Sequence, residues 1–314
     1  TISDQTIAAL DDLTTASTDQ LTITVASTSA TASQLTTVAD ATGLNVTATA
    51  VETVTGTATQ MDALLLVEGS TGDKVNLDSD YNITISGSNA TVTQANAYGA
   101  ATDGVVTATI SNTAIADLDD LTTGSADQLT VTVASTSATA AQLTTVAGAT
   151  GLNVTATAVE TVTGTATQMD ALLLVEGTTG DKVNLDDDYA ITISGSNATV
   201  TQANAYGAAT DGVVTATISN GDIADLDDLS TANSDQLTVT VTSTSATASQ
   251  LTTVAGATGL NVTATAVETV TGTATQMDAL LLAEGTTGDK INLDDNYNIT
   301  ISGSNATVTQ ANAY

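Results

Sequence analysis

The chain repeats itself almost letter for letter with a period of 108 residues. Ile2, Ile110 and Ile218 begin matching stretches, and the differences 110 − 2 and 218 − 110 both equal 108. A sequence that repeats so closely must fold into a unit that can be joined to copies of itself. We therefore expect the 314 residues to be part of a longer array. The blocks are residues 1–108, 109–216 and 217–314, the third being shorter.

Each block contains a shorter repeat. In the middle block, four segments share the pattern small-small-x-x-(Asp/Gln)-(Leu/Ala), and their starts are 25, 28 and 32 residues apart (138 − 113, 166 − 138, 198 − 166). The average step across the block is 108/4, or 27 residues, which is a typical length for one coil of a solenoid. The four segments are residues 113–118, 138–143, 166–171 and 198–203.

The four segments are predicted to be short helices. Ile115, Leu118 and Leu121 are spaced by three, which places one apolar stripe along a helix. Helices of two or three turns are marginal alone, so neighbouring elements must stabilise them. The residues that precede the segments predict the N-caps. They are Asn112, Ser137 and either Asn197 or Ser196.

A strand signal precedes each helical segment. These stretches alternate apolar residues with Thr or Ser, which is the period-2 pattern of a strand with one buried face. Turns rich in Gly and Asp separate each helix from the next strand. The predicted strands are residues 105–111, 129–133, 159–163 and 190–194.

These elements predict an α/β fold, namely a right-handed solenoid with one continuous parallel sheet. About four coils of ~27 residues make up a block, which would rise about 19 Å if neighbouring strands are ~4.8 Å apart. The alternative is a string of all-β immunoglobulin-like sandwiches, because ~100 residues is a usual length for one sandwich. The helical stripes and the absence of Trp, Phe and Pro count against sandwiches.

Charge restricts the partners of the chain. It has 35 acidic residues and three cations, which are Lys74, Lys182 and Lys290, and its formal charge is −32. Such a chain repels phosphates, so we expect nucleic acid and anionic membrane surfaces to be poor partners. No apolar run is long enough to span a bilayer, so we expect no membrane insertion. Apolar residues make up 41%, which favours a folded chain. The absence of Cys is compatible with an extracellular bacterial or archaeal protein, although a cytosolic one could look the same.

Acidic clusters in the predicted turns are the candidate binding site. In a solenoid the turns of successive coils stack, so these carboxylates would repel one another unless a cation lay between them. We therefore predict bound Ca²⁺, and the alternative is a solvated acidic surface that keeps the chain soluble or adapts it to salt. The candidate ligands, with equivalents 108 residues away, are Asp117, Asp119, Asp120, Asp127, Asp181, Asp186, Asp187, Asp188 and Asp211.

Two further patterns involve threonine. Thr-x-Thr pairs such as Thr107/Thr109 and Thr130/Thr132 would form a grid of hydroxyl groups on stacked strands, which resembles the ice-binding face of some β-solenoid antifreeze proteins. The alternative is that Thr suits the exposed side of a strand. Eight Asn-x-Thr triplets would be glycan acceptors in a eukaryotic or archaeal secreted protein. They begin at Asn45, Asn82, Asn89, Asn153, Asn197, Asn261, Asn298 and Asn305.

The composition argues against an enzyme. No His or Cys is present to act as a base or nucleophile, and no Arg is present to bind a phosphate. A Ser–Lys pair at Lys182 is conceivable, but an ion pair with the adjacent Asp181 explains that lysine better. We predict no catalytic residues.

The blocks resemble those of giant, repetitive secreted bacterial proteins, such as surface adhesins, cell-surface motility proteins and surface-layer proteins. The resemblance rests on the segments 115–123, 137–143 and 159–165. It implies a secreted, cell-surface location, copies of the chain as partners in a fibre or array, and surface ligands bound by other domains. Such families are usually exported unfolded and fold on external Ca²⁺. The function that follows is structural: a stalk, a sheath, a surface layer or an adhesin spacer. The alternative is a ligand-binding module for ice or carbohydrate.

Overall fold

The computed structural model describes residues 1–68, 74–176, 182–284 and 290–314. It is an α/β structure in which strands and short helices alternate. The helices α1 to α12 are Ile7–Leu10, Ala32–Asp40, Ala58–Glu68, Val92–Ala101, Ile115–Leu118, Ala140–Gly148, Ala166–Glu176, Val200–Ala209, Ile223–Leu226, Ala248–Gly256, Ala274–Glu284 and Val308–Ala313.

The strands are short, with two to five residues each. They are β1 to β21 in chain order: Ile2–Gln5, Ile23–Val25, Ser29–Thr31, Val46–Thr47, Thr53–Gly56, Val75–Asn76, Asn82–Ile85, Val106–Thr109, Gln128–Thr132, Ser137–Thr139, Val154–Thr155, Thr161–Gly164, Val183–Asn184, Ala190–Ile193, Val214–Thr217, Gln236–Thr238, Ser245–Thr247, Val262–Ala264, Thr269–Gly272, Ile291–Leu293 and Asn298–Ile301.

The predicted alternation of strands and helices is confirmed, and local sequence explains the helix starts. Thr199 caps α8: its hydroxyl accepts the amide of Gln202, and the Gln202 side chain accepts the amide of Thr199. This capping box satisfies two backbone amides at once. The predicted N-caps of α5 and α8 were wrong, because the cap residues are Ala114 and Thr199. Asn112 and Ser196 have another role, described below.

All pairings between the described strands are parallel, which fits a solenoid-like arrangement and not antiparallel sandwiches. The strands form five sheets of four, five, seven, three and two strands, so the prediction of one continuous sheet was wrong. The reason is that several stretches contain two short strands separated by a turn. For example, Gln128–Thr132 and Ser137–Thr139 belong to different sheets.

The described chain divides into two compact units. The first consists of Thr1–Ser135, Gln142–Thr157 and Thr178–Asn184, and it contains the four- and seven-stranded sheets. The second consists of Thr136–Ala141, Ala158–Gly177 and Leu185–Tyr314, and it contains the other three sheets. In both units we use the word coil for one strand, the helix that follows it and the turn to the next strand.

The core of each unit consists of Val, Ile, Leu, Ala, Met and Tyr side chains. In β14 and β15, Ile191 and Val214 are fully buried and pair across neighbouring coils, while Thr192 and Thr215 face outward. Burial of the inner residues supplies most of the stabilisation, at about 25 cal/mol per Å² of apolar surface. Within the part of the chain that the structure describes, no helix combines the length and apolar character needed to cross a membrane.

Candidate functional site

Successive coils are joined by polar side chains at the corner where the chain leaves a helix and enters the next strand. Thr258 lies there with no exposed surface. Its hydroxyl donates to the carbonyl of Leu237 in the preceding coil (2.9 Å) and accepts the amides of Leu237 (3.0 Å) and Leu260 (3.1 Å). One buried hydroxyl therefore satisfies three backbone groups in two coils.

An earlier coil also has a threonine at the same corner. Thr210 donates to the carbonyl of Tyr189 (2.6 Å) and accepts the amide of Gly212 (2.9 Å). Gly212 is required here because a Cβ atom would lie 2.5 Å from the carbonyl oxygen of Asp188. At this corner the backbones of two coils lie closer together than any residue with a Cβ atom would allow.

A carboxylate occupies the corner in the next coil. Asp235, only 2% exposed, accepts the amide of Val214 in the preceding coil (2.8 Å) and the amide of Ala232 in its own turn (2.8 Å). Hydrogen bonds to a charged acceptor are stronger than neutral ones, at about 1.5–3 kcal/mol each. Asp127, one of the predicted Ca²⁺ ligands, makes the same two bonds to Val106 and Gly124.

The three lysines also form hydrogen bonds between coils. The Lys182 ammonium donates to the carbonyl of Thr150 (2.7 Å), which follows helix α6. Lys74 and Lys290 make the same contact with Thr42 and Thr258. A cation near the carboxyl end of a helix is favourable because the last carbonyl groups carry partial negative charge. The ion pair predicted between Lys182 and Asp181 lies outside the described residues. We call this set the inter-coil clamps: Thr42, Lys74, Thr102, Asp127, Thr150, Lys182, Thr210, Asp235, Thr258 and Lys290.

A second set of links joins eight of the described helices to the coil that follows them. The amide of Ala166, the first residue of α7, donates to the hydroxyl of Ser196 30 residues later (2.8 Å). The amide of Val200, the first residue of α8, donates to Asn220 Oδ1 20 residues later (3.1 Å). Helix-starting amides have no partner inside their own helix. We call these acceptors the forward caps: Ser27, Ser88, Asn112, Ser135, Ser196, Asn220, Ser243 and Ser304.

Tyrosines join neighbouring helices. The Tyr206 hydroxyl in α8 donates to Asp170 Oδ1 (2.9 Å) and the Ala166 carbonyl (3.0 Å) of α7, while Gln202 donates to Asp170 Oδ2 (2.7 Å). Burial of its phenol, then the hydrogen bond and charge of Asp170, raise the pKa of Tyr206. Tyr189 donates to Glu176 (3.1 Å), and burial followed by the charge and hydrogen bond of Glu176 raises its pKa in the same direction.

The other predicted Ca²⁺ ligands lie mostly at the surface. Asp119 accepts the Gln142 side chain of the next coil (2.8 Å), and Asp117 accepts that of Asn112 (3.2 Å). The Asp186 carboxylate accepts the amide of Asp187 (3.0 Å). Exposed residues of the set are Asp117, Asp120, Asp186, Asp187, Asp188 and Asp211, whereas Asp181 lies outside the described residues.

Two of these acids line a polar cleft that occurs in two blocks. Asp117 and Asp120 lie with Asn96 and Asn112 around a cleft of about 500 Å³. Its equivalent around Asp225 and Asp228 measures about 350 Å³. A second kind of cleft, of about 410 Å³, is lined by Glu52, Asp78, Asp80, Asn82 and neighbouring backbone. Asp186 and Asp188 are the equivalents of Asp78 and Asp80 in the middle block.

These clefts offer few ligands for a metal ion. Among the described residues, no three acidic side chains come together in a way that could hold one. Ca²⁺ requires six to eight oxygen ligands, so the two or three acidic side chains that line each cleft would need further oxygen ligands from the backbone or from water. Both carboxylate oxygens of Asp127 already accept backbone amides. Bound Ca²⁺ stays a prediction, and Asp127 fits that role least.

Outward-facing threonines form ladders in register. In the second unit, Thr139, Thr163, Thr192 and Thr215 pair in sequence across four neighbouring strands. The ladder ends where Thr215 pairs with Gln236. In the first unit the same ladder consists of Thr31, Thr55, Thr84 and Thr107. Hydroxyl groups along such a ladder repeat at the strand spacing of about 4.8 Å.

Comparison with protein-family models, with curated proteins and with solved structures finds no match to this chain. The conclusions below therefore depend on the residues and their contacts alone. The inter-coil clamps were missed by sequence reasoning, although a signal was present. Thr followed by Gly at the next position, as in Thr150-Gly151 and Thr258-Gly259, or at the position after that, as in Thr210-Asp211-Gly212, occurs after the helices.

Proposed function

We propose that this chain is the structural repeat region of a large extracellular surface or filament protein, where it acts as a stalk, sheath, surface layer or adhesin spacer. The observation that carries the proposal is the recurrence of inter-coil clamps and forward caps in each block. The polar groups of these residues form hydrogen bonds that join one coil to the next. The described buried side-chain nitrogen and oxygen atoms all have hydrogen-bond partners, so the interior offers none to a substrate.

Such links suit a chain that carries load. In a repeat protein each coil contacts its neighbours, and the stability of the array is approximately the sum of the stabilities of its repeats and of the interfaces between them. Here a pull that separates two coils must break parallel backbone hydrogen bonds, a clamp and a forward cap together. We propose that the coils wind with right-handed crossovers into a continuous solenoid, since parallel strands joined through helices nearly always cross over in that hand.

A spacer must grow in length with each block, and small-angle X-ray scattering tests this requirement. The chain is compared with a longer version that contains one additional copy of residues 109–216. We expect the maximum dimension to increase by about 19 Å, four strand spacings of ~4.8 Å. An increase of only a few ångströms, as for a sphere of larger volume, would contradict the proposal.

The extracellular location needs its own test. Antibodies raised against the chain should label intact cells of the source organism, or filaments shed from them. Labelling only after the cells are broken would rule out the surface location and leave the structural role to the scattering experiment.

The described clefts carry no arrangement typical of an active site, and we propose no catalysis.

The threonine ladders support a second candidate function, binding to ice or to a carbohydrate. A regular array of hydroxyl and methyl groups could order water or match a repetitive polymer. We expect measurable thermal hysteresis in frozen droplets if the ladder binds ice, and its loss in Thr192→Leu, which interrupts the ladder. Asp228→Ala, away from the ladder, is the matched control. Wild-type protein without hysteresis and without retention on insoluble polysaccharides would exclude this candidate.

A further inference from the structure

The eight Asn-x-Thr triplets fall into two structural groups. Asn82 and Asn298 begin strands, and their side-chain amides donate to the carbonyl groups of Glu52 (3.3 Å) and Glu268 (3.2 Å). The other six are exposed, as Asn298 also is, but they form no such hydrogen bond, and each directly follows a two-residue bend. Those that precede a strand are Asn45, Asn153 and Asn261, and those that follow one are Asn89, Asn197 and Asn305.

The six exposed asparagines have no visible role in the fold. Within the described residues, no hydrogen bond to their side chains is found. Asparagines elsewhere behave differently: Asn220 accepts the amide of Val200, and Asn204 bonds the backbone of Asp228 and Ser230. The fold therefore accounts for Asn at positions such as 204 and 220 but not at the six exposed ones.

Comparison of the blocks gives an independent observation. Exposed turn positions have changed between blocks: Ser79 is replaced by Asp187, and Ser125 by Asn233. Even the strand triplet is lost in the middle block, where Ala190 stands at the position of Asn82. Both exposed triplets, by contrast, keep Asn and Thr in all three blocks. Asparagine is thus retained where neither packing nor hydrogen bonding requires it.

We propose that these six asparagines are acceptors of N-linked glycans, an inference that rests on the proposed extracellular location and on a eukaryotic or archaeal source. Asn-x-Thr at an exposed turn is the substrate motif for this modification. The donor is a sugar linked through pyrophosphate to a polyisoprenyl lipid. The asparagine Nδ2 forms a bond to the anomeric carbon, the bond from that carbon to the phosphate oxygen breaks, and the lipid pyrophosphate leaves. A base takes up the amide proton.

The position of these turns fits the modification. A glycan is bulky and must project into solvent, and the six side chains are exposed and unengaged. At Asn82 a glycan would displace hydrogen bonds that join two strands, because Oδ1 of this residue also accepts the amide of Val105 (2.9 Å). We therefore expect Asn82 and Asn298 to be unmodified.

Mass spectrometry of protein purified from the source organism tests the proposal. We expect sugar-bearing peptides at the six exposed asparagines and unmodified peptides at Asn82 and Asn298. In that organism, Asn197→Gln should lower the intact mass by one glycan. The matched control Asn204→Gln removes an asparagine outside any triplet and should leave the glycan content unchanged.

Two results would overturn the inference. The first is an intact mass equal to that of the bare sequence, and the second is equal modification of Asn82 and the exposed sites. Surface labelling of intact cells separates this outcome from failure of the proposed function. If intact cells are labelled but the chain carries no glycan, the glycan proposal alone is wrong. If the chain is confined to the cell interior, both the glycan proposal and the proposed extracellular function are wrong.

Discussion

The carboxylate of Asp235 accepts the backbone amide of Val214, 21 residues earlier in the chain, at 2.8 Å. Asp235 is 2% exposed, and its second oxygen accepts the amide of Ala232. A negative charge that is buried between two coils is therefore stabilised by backbone donors. This contact makes Asp235 structurally different from the exposed acids that surround it.

Replacement of Asp235 by Ala should destabilise the coils that it joins. The buried amide of Val214 would lose its acceptor, at about 1–3 kcal/mol, and the amide of the exposed Ala232 would lose its acceptor as well. Because a repeat array need not unfold in one step, hydrogen exchange of the Val214 amide is the most direct measurement. Asp228→Ala removes an equal charge from an exposed residue and should change little. Equal acceleration of exchange in both variants would contradict the structural role.

Thr258→Val tests the hydroxyl clamp without a change of shape. The amides of Leu237 and Leu260 would lose their shared acceptor, so we expect the free energy of unfolding to fall by about 1–3 kcal/mol. Thr240→Val is the control, because Thr240 is exposed, forms only an isolated bridge with Thr263, and stands where the extended backbone suits Val equally well. Urea denaturation followed by circular dichroism compares the two. A clamp variant as stable as its control would argue against the clamp.

Gly212→Ala should be among the most damaging conservative substitutions. Its new Cβ would lie 2.5 Å from the Asp188 carbonyl oxygen and closer still to that of Tyr189, so the two coils would have to separate. Gly256→Ala is the reverse case, because nothing lies within 4 Å of a Cβ atom at this last residue of α10. Alanine in a helix is favoured over glycine by about 0.5–1 kcal/mol. Thermal melts should therefore shift in opposite directions.

The raised pKa values of the buried tyrosines predict how the stability of the fold changes at alkaline pH. The pKa values of Tyr189 and Tyr206 are raised above the ordinary value of 10.0 by burial and by Glu176 and Asp170. The folded chain thus holds these protons more tightly than the unfolded chain. Their contribution to stability is complete below pH 10 and is lost as the pH rises above it.

Absorbance of tyrosinate measures this effect. We expect it to appear together with loss of the circular dichroism signal, well above pH 10, and not before unfolding. In the Tyr189→Phe, Tyr206→Phe variant the alkaline loss of stability should be smaller. Tyrosinate formation near pH 10 in a chain that stays folded would contradict the raised pKa values.

Cations should stabilise the chain in two distinguishable ways. With a formal charge of −32, screening alone predicts that melting temperature rises with NaCl concentration. Bound Ca²⁺ would add to this, so we expect a higher melting temperature in Ca²⁺ than in Mg²⁺ at equal ionic strength, reversed by a chelator. Identical melting temperatures in the two salts would contradict specific Ca²⁺ binding and would favour the alternative that the acidic turns are a solvated surface.

Sequence periodicity predicted the elements well because burial imposes it. The alternation in 190–194 and the three-residue spacing of Ile115 and Leu118 reflect which side of each element faces the core. Strands such as Val154–Thr155 were missed since two residues cannot show a period. The division into several sheets was also beyond reach, because it depends on turns within a coil.

The polar residues were harder to assign, since their partners belong to other coils. The sequence predicts Asn112, and either Asn197 or Ser196, as N-caps for the helices that follow them, and Asn112 and Ser196 do accept a helix-starting amide. The helix in each case is the preceding one, 20 or 30 residues earlier. Similarly, composition marked Asp127 and Asp120 as equivalent acids. Only the fold shows that one is buried and the other lines a cleft.

The forward caps determine the order in which helices can complete their hydrogen bonds while the chain is being synthesised or exported. As the polypeptide emerges from a ribosome or a secretion channel, α7 is complete at Glu176, but its first amide has no acceptor until Ser196 appears. A coil that carries a forward cap thus completes the hydrogen bonding at the start of the preceding helix. Folding should advance along the chain one coil behind its emergence, with a single incomplete helix start at the growing end.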